Sequence, residues 1–349
     1  MKKIIIFKSD MLGDLLNFSP CLKILKDNKK DSHISLICSE YNYQIAKNYH
    51  FVDKFIIFKK KKFINNIINN FKDLFLSNYD YLFQFDGNKS SYLISYFVRA
   101  KIRSTICFIK NKTIFGIKFK LTRPSKFILK IFYKNYVFCD ESYKKDFDQN
   151  GPVHYQTNYF NILKKLNMEI TNKKNLFFLD KSYKNNYKFF FNNFIIKPFC
   201  LFHFDEKWDR YTNKDYENSI KIIENKAKQY KIIITTGIKD FIFLNQISSK
   251  YNVFSFINDE FKLKRDNNSN ILILKNLPLN LLAYFIKNSE INISSHSGPV
   301  VHISPIFDRQ IIDLIPRSKN DELNRWIPTI SKYKRINFEE LNDNIIETI

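Results

Sequence analysis

The chain has 349 residues, a length that suits two ordinary domains, and a formal charge of +23 from 57 Lys and Arg against 34 Asp and Glu. That balance favours an anionic partner: nucleic acid, a phosphorylated metabolite or an anionic membrane surface. No run approaches the ~18 apolar residues of a membrane span, MKKIIIFKSD is too short in its apolar part for a signal peptide, and the scattered Cys21, Cys38, Cys107, Cys139 and Cys200 form no CxxC pair, which excludes a disulfide framework and points to reduced cytoplasmic thiols.

Lys3–Lys8 reads as a strand, followed by a loop and a helix from Asp14 to Lys26. Strands are expected at His33–Cys38, Lys54–Phe58, Tyr81–Phe85 and Arg103–Phe108, with helices at Phe63–Phe75 and Ser90–Val98. The KKKK run Lys59–Lys62 reads as a solvated helix start. After the helix His154–Leu166, the polar stretch Asn167–Asp180 marks a boundary, which gives lobes 1–170 and 175–349. The pattern then restarts. Strands are expected at Phe199–His203, Lys231–Thr235, Ile271–Leu274, Ile291–Ile293 and Gln310–Leu314, and helices at Lys214–Lys228, Lys239–Ser249 and Leu279–Lys287. Short apolar runs alternating with longer amphipathic ones indicate parallel, helix-covered sheets. The expected fold class is therefore α/β, with two Rossmann-like doubly wound lobes facing a central cleft. Ligands in such sheets bind at the carboxyl ends of the strands.

Four segments with chemical potential fall at such ends. Ser9-Asp10-Met11-Leu12-Gly13-Asp14 follows the first strand. Asp14 reads either as an N-cap, worth ~1 kcal/mol, or as a general base that deprotonates a hydroxyl. His203-Phe204-Asp205-Glu206-Lys207-Trp208 follows the first strand of the second half. Lys207 there can neutralise a diphosphate leaving group; otherwise the segment is a surface loop with a half-buried Trp208. Thr235-Thr236-Gly237-Ile238-Lys239-Asp240 again runs strand, Gly, helix. Gly237 lets a ligand approach the backbone, and Asp240 either accepts bonds from ribose hydroxyls or favours the helix N-terminus electrostatically.

The fourth segment, Ile291–Ser304, reads INISSHSGPVVHIS in a chain with six glycines. Ser297, Gly298 and the next N–H groups form a phosphate cradle at a helix start. His296 stands before the turn and His302 inside the helix. No GxGxxG, GxSxG or P-loop pattern occurs, and no cluster has metal-ligand spacing, so neither a metal nor a dinucleotide cofactor is expected.

Between Asp86 and Asp140 there is no acidic residue, while Lys and Arg number twelve. Lys112, Lys118, Lys120, Arg123 and Lys126 stand in its middle, interleaved with Phe, Tyr and Ile. Such a stretch suits an anionic lipid surface. It also suits nucleic acid, although no RRM, KH, zinc-finger or helix-turn-helix signature accompanies it, and no specific nucleic acid is expected.

Taken in order, these motifs resemble glycosyltransferase family 9, the ADP-heptose:lipopolysaccharide heptosyltransferases. The resemblance spans nearly the whole chain. Met1–Leu25 looks like the family's opening strand, Gly-Asp turn and Pro-bearing helix. Tyr79–Asn88 resembles its YD-strand segment before a Ser-rich helix. Ile293–His302 resembles the motif usually written DSGPxH, with His296 in place of Asp, and Arg325-Trp326-Ile-Pro328 looks like its late W-x-P. The resemblance implies a GT-B fold, with an acceptor lobe and a nucleotide-sugar lobe. It also implies an inverting, metal-independent transfer that needs no cofactor besides the nucleotide sugar. By it, Asp14 is the general base, Lys207 with Ser297 and Gly298 holds the diphosphate, and Asp240 touches the ribose. The implied partners are ADP-heptose and an anionic glycolipid acceptor at the cytoplasmic face of the inner membrane. A different donor, or a polysaccharide or protein acceptor, remains an alternative, as does a basic nucleic-acid-binding protein.

Overall fold

The computed structural model describes residues 1–59, 62–114, 117–140, 147–148, 151–152, 154–195, 198–211, 216–237, 242–266, 269–328 and 332–349; for 110–120, 140, 147–148, 151–152, 206, 242, 245–246 and 265 it describes the backbone alone. The chain divides into two compact units. The first is Met1–Phe178 with Asp321–Trp326, and the second is Leu179–Asn320 with Ile327–Ile349.

The first unit holds a seven-stranded sheet. Its strands are β1 (Lys2–Phe7), β2 (Ser32–Ser39), β3 (Lys54–Phe58), β4 (Asn78–Gln84), β5 (Arg99–Ile114), β6 (Ile117–Arg123) and β7 (Asn135–Asp140). The order is β3-β2-β1-β4-β5-β6, with β7 also on β5. All pairs are parallel except β5–β6. A two-residue ladder joins β8 (Phe147–Asp148) to β9 (Gly151–Pro152). Helices α1 (Leu12–Asn28), α2 (Glu40–Ala46), α3 (Phe63–Asn69), α4 (Lys89–Phe97), α5 (Lys126–Phe132) and α6 (Gln156–Lys165) surround the sheet.

Ile5 and Phe7 of β1, Tyr92 and Ile94 of α4 and Leu129 of α5 share one buried core. Helices α1 and α6 meet through Phe18 and Tyr159, ring centroids 5.2 Å apart. The expected helix Phe63–Phe75 is interrupted. It ends at Asn69, and a π-turn spans Lys72–Leu76. The asparagines compete for the backbone there: Asn66 bonds both the N–H and the C=O of Lys59, and Asn70 donates to the Asn66 carbonyl. Lys60 and Lys61 of the KKKK run lie outside the described residues.

The second unit has eight strands: β10 (Phe199–Phe204), β11 (Lys231–Thr236), β12 (Asn252–Ile257), β13 (Glu260–Arg265), β14 (Ile271–Lys275), β15 (Ile291–Ser294), β16 (Gln310–Ile315) and β17 (Tyr333–Asn337). Their order is β13-β12-β14-β11-β10-β15-β16-β17, parallel but for the β12–β13 hairpin. Its helices are α7 (Lys184–Phe194), α8 (Glu206–Tyr211), α9 (Tyr216–Ala227), α10 (Ile242–Ile247), α11 (Leu279–Asn288), α12 (Gly298–Ile303), α13 (Asn320–Asn324, mostly in the first unit) and α14 (Asp343–Thr348).

Both sheets are doubly wound. In each, the chain starts in the middle, moves to one side and then returns to the other, so the order reverses at β1/β4 and at β10/β15. Crevices at the carboxyl ends of strands beside such a reversal are the usual ligand sites of this architecture.

All five cysteines are buried. Burial pushes the thiol of Cys38 up to about 12 and that of Cys107 to about 11, and it raises Cys21 and Cys200 as well. Because the thiolate is the nucleophile, the native protein should be inert to a disulfide reagent at pH 8 and should expose five thiols in urea. A rapid native reaction would contradict the burial.

Candidate functional site

At the β10/β15 reversal, two segments far apart in sequence meet. β10 leads into Asp205, whose carboxylate accepts the N–H of Lys207 (2.9 Å) and so caps α8. This helix replaces the expected surface loop, and Trp208 is fully buried rather than half-buried, with its indole N–H on Ser219 Oγ at 3.0 Å. Lys207, thus placed, donates from Nζ to the His296 carbonyl at 2.6 Å. The strands beneath are parallel neighbours, with His203 opposite Ser294.

The turn after β15 is tightly built. Ser295 Oγ donates to the Leu314 carbonyl at 2.7 Å. His296 adopts a left-handed φ of 53° and is buried. Its backbone N–H donates to Asp313 Oδ1 (2.5 Å) and its ring Nδ1 to Asp313 Oδ2 (2.6 Å). Ser297 caps α12, with Pro299 in the first turn. Its hydroxyl is buried with no hydrogen-bond partner among the described residues. The first N–H groups of a helix have no acceptor one turn back, and Pro299 has none to offer, so Gly298 and Val300 supply the donors. α12 has six residues, which makes these local dipoles the operative charge rather than a long macrodipole.

Gly237 lies beside the loop after β10. Its N–H donates to the Phe204 carbonyl at 2.8 Å, and a Cβ there would meet Asp205 Cβ at 3.3 Å. The absent side chain therefore lets the loops after β10 and β11 close on each other. Asp240 lies outside the described residues. His302 is buried within α12, one residue beyond the last position of a DSGPxH pattern.

At the β1/β4 reversal, Lys8 is fully buried. Its Nζ lies 2.7 Å from Asp10 Oδ2, 3.3 Å from the Phe85 carbonyl and 5.1 Å above the Tyr159 ring. Asp86, also fully buried, holds the loop after β1. It accepts the N–H and hydroxyl of Ser9 (3.1 and 2.8 Å), the Gln84 amide (3.1 Å) and the Asn88 N–H (3.0 Å). Asp14 follows in the first turn of α1. The helix begins at Leu12, with Met11 as its N-cap, so Asp14 is not the cap. Burial pushes the Asp10 carboxyl well above its ordinary value; Lys8 pulls it down, and the charges of Asp14 and Asp86 push it up again. The Asp10 carboxyl thus feels one buried ammonium and the charges of two further carboxylates.

Of the basic residues singled out, Lys126 is exposed on α5, and Arg123 donates to the Gly87 carbonyl at 3.1 Å. Lys112 stands on β5, and Lys118 and Lys120 on β6; their side chains lie outside the described atoms.

The chain matches no family model and no curated protein by sequence. Its structure is similar to that of a glycosyl transferase family 9 protein from Veillonella parvula: TM-score 0.69, 15% identity, 99% of this chain and 90% of that one. It is likewise similar to the E. coli heptosyltransferase WaaC with ADP: TM-score 0.63, 13% identity, 99% and 98%. A UDP-GlcNAc 2-epimerase from Methanocaldococcus jannaschii follows at TM-score 0.55 and 12% identity, covering 100% and 91%. The fold is GT-B. At such identities the likeness is one of fold, and chemistry must be argued from the site.

Three residues of this GT-B chain escaped the sequence reading as site residues: Lys8, Asp86 and Asp313. Asp86 had a signal, an Asp-Gly-Asn turn directly after a strand. A Lys directly after an apolar strand or an Asp inside one, as at Lys8 and Asp313, is a signal in itself, because a buried charge needs a partner.

Proposed function

We propose that the chain is an inverting, metal-independent glycosyltransferase that moves a sugar, heptose from ADP-heptose, onto a lipopolysaccharide inner-core acceptor. The observation that supports this most is the contact between Lys207 and the His296–Gly298 turn at the reversal of the second sheet. It brings together an ammonium, the helix-start N–H groups of Gly298 and Val300 and a buried Ser297 hydroxyl with no partner among the described residues, a set of donors of the kind a diphosphate requires.

In this reading Asp14 takes the proton of the acceptor hydroxyl. The freed oxygen bonds to the anomeric carbon from the face opposite the diphosphate. The bond from that carbon to the phosphate oxygen breaks, and its electron pair leaves with the nucleotide diphosphate beside Lys207.

An anionic glycolipid surface as the acceptor's setting is supported by α5. Leu129 is its buried residue, while Phe127 and Ile131, one turn apart, are 74% and 57% exposed. Lys126 and Lys130 flank them. Exposed apolar tips between lysines suit the boundary of acidic headgroups and acyl chains.

Calorimetric titration with ADP, UDP, GDP and CMP sugars tests the reading. ADP-heptose is expected to bind, and turnover is expected to persist in EDTA. Absence of binding by any nucleotide sugar would remove the proposal. His296 in the place of a carboxylate favours one variant reading, the same reaction with another donor sugar or with a polysaccharide or protein acceptor; a UDP, GDP or CMP sugar winning the panel establishes it. Binding to acidic vesicles in preference to RNA, each across a salt series, separates the lipid partner from nucleic acid.

A further inference from the structure

We propose that Asp313 is a positioning residue which holds the His296 ring so that Nε2 accepts a hydrogen bond from a hydroxyl of the donor sugar. The inference rests on the proposed transferase reading and concerns the one turn residue that departs from the motif it resembles.

Asp313 lies on β16, fully buried, directly opposite Ser294 of β15. A carboxylate in that position demands several donors, because a buried charge left unpaired is costly. It has three: the backbone N–H of His296 at 2.5 Å, His296 Nδ1 at 2.6 Å, and the Tyr333 hydroxyl at 2.6 Å. Arg335 Nε in turn donates to the Tyr333 hydroxyl at 3.4 Å. Two of the three donors belong to His296, so Asp313 fixes both its backbone and its ring. This double grip sustains a left-handed φ in a buried non-glycine residue, a conformation kept only where its surroundings over-determine it.

The consequence is at the other ring nitrogen. A hydrogen on Nδ1, shared with a carboxylate, leaves the lone pair of the neutral ring on Nε2. Nε2 has no hydrogen-bond partner among the described residues, and the side chain keeps 5% of its surface at the solvent edge. The ring acceptor thus belongs to the residue whose backbone carbonyl the ammonium of Lys207 grips.

The substitution of His for Asp in the turn is thereby offset. A lone Asp would offer an acceptor and one negative charge. Here the ring is the acceptor, and the negative charge sits one strand back on Asp313. The pair preserves both properties, and the longer imidazole carries the acceptor further from the backbone than a carboxylate reaches. A sugar hydroxyl is the complementary ligand. A phosphate oxygen, an acceptor itself, is not.

The test uses the full-length protein labelled with ¹⁵N at its six histidines. His296 is assigned by loss of its signal in His296→Asn. Without ligand, Nδ1 should report as protonated and Nε2 as unprotonated. A proton on Nε2 overturns the proposal. Addition of ADP-heptose, or of whichever nucleotide sugar the panel selects, should shift Nε2, and ADP alone should not. An equal shift with ADP alone also overturns it.

Asp313→Asn should lose the fixed tautomer and weaken nucleotide-sugar binding about tenfold more than it weakens ADP binding. His296→Asn leaves Asp313 in place, suits the left-handed backbone and should show the same selective loss if Asp313→Asn does not fold. Equal losses for ADP and the nucleotide sugar, or none, refute the positioning role. If no nucleotide sugar binds at all, the transferase reading falls, whereas the ligand-free tautomer still judges Asp313 by itself.

Discussion

Asp14→Asn is expected to reduce the transfer rate by about 10²- to 10⁴-fold, the contribution of a positioned general base, with nucleotide-sugar affinity unchanged. Asn has the size of Asp but cannot take a proton. The residue sits on a rigid support: its N–H bonds the Met11 carbonyl at 3.1 Å, and the preceding loop is pinned by the two bonds from Ser9 to Asp86. The substitution should cost little stability, about 0.3–1 kcal/mol for a carboxylate lost from a first helical turn. Single-turnover transfer and calorimetric donor titration on the same preparation separate the effects. Normal turnover removes Asp14 from the role of base. Loss of donor binding along with rate reassigns it to binding.

Lys8→Met should destabilise the protein by about 3–5 kcal/mol, as when one partner of a buried pair is removed. Urea unfolding would measure it. Met fills similar volume, so the loss reports charge rather than a cavity. It leaves Asp10 without its nearest donor, while Asp10 Oδ1 already has none among the described residues.

The pH dependence has a definite sign. Folding raises the Asp10 carboxyl above its ordinary value of 3.8. Between those two values the native state holds the extra proton, so stability falls as pH rises through the window. In Lys8→Met burial, Asp14 and Asp86 still push the carboxyl up, and the opposing ammonium is gone. The window then extends to higher pH. The deficit relative to the parent protein should be largest at neutral pH and shrink toward pH 4. A deficit independent of pH would mean that Lys8 acts through packing alone.

Much of the fold was readable because it is written locally. The runs KKIIIF, FCLFHF and KIIITT declare buried parallel strands by apolar continuity, and each became one. The edge of the second sheet was not read. β13 is EFKLKR, an alternation interrupted by charge, as exposed edge strands tend to be. Its signal was the turn before it. Asn258 and Asp259 have φ of 50° and 61°, the two left-handed residues of a tight hairpin. β17, YKRIN, is similarly polar; it carries Tyr333 and Arg335 to Asp313, and no local period announces that duty.

The segment Asp321–Trp326 gives a second case. Its Trp326 stacks on Tyr155 at 4.4 Å, Tyr155 N–H bonds the Arg325 carbonyl, and Arg325 Nη2 lies 3.3 Å from Cys139 Sγ. The Arg-Trp pair was visible in the sequence. Its packing with residues nearly two hundred positions earlier was not.

By itself the sequence determined two parallel α/β sheets and the strand ends that carry Asp14, Lys207 and Ser297–Gly298. Periodicity, turn chemistry and helix starts act over a few residues, and each of those features is that short. Only the tertiary structure decided that Lys207 grips the His296 turn, that Asp86 holds the loop before Asp14, and that Asp313 stands behind His296. These are pairings of buried polar groups across neighbouring strands. A buried charge reveals that it must have a partner, and strand order alone selects which residue that partner is.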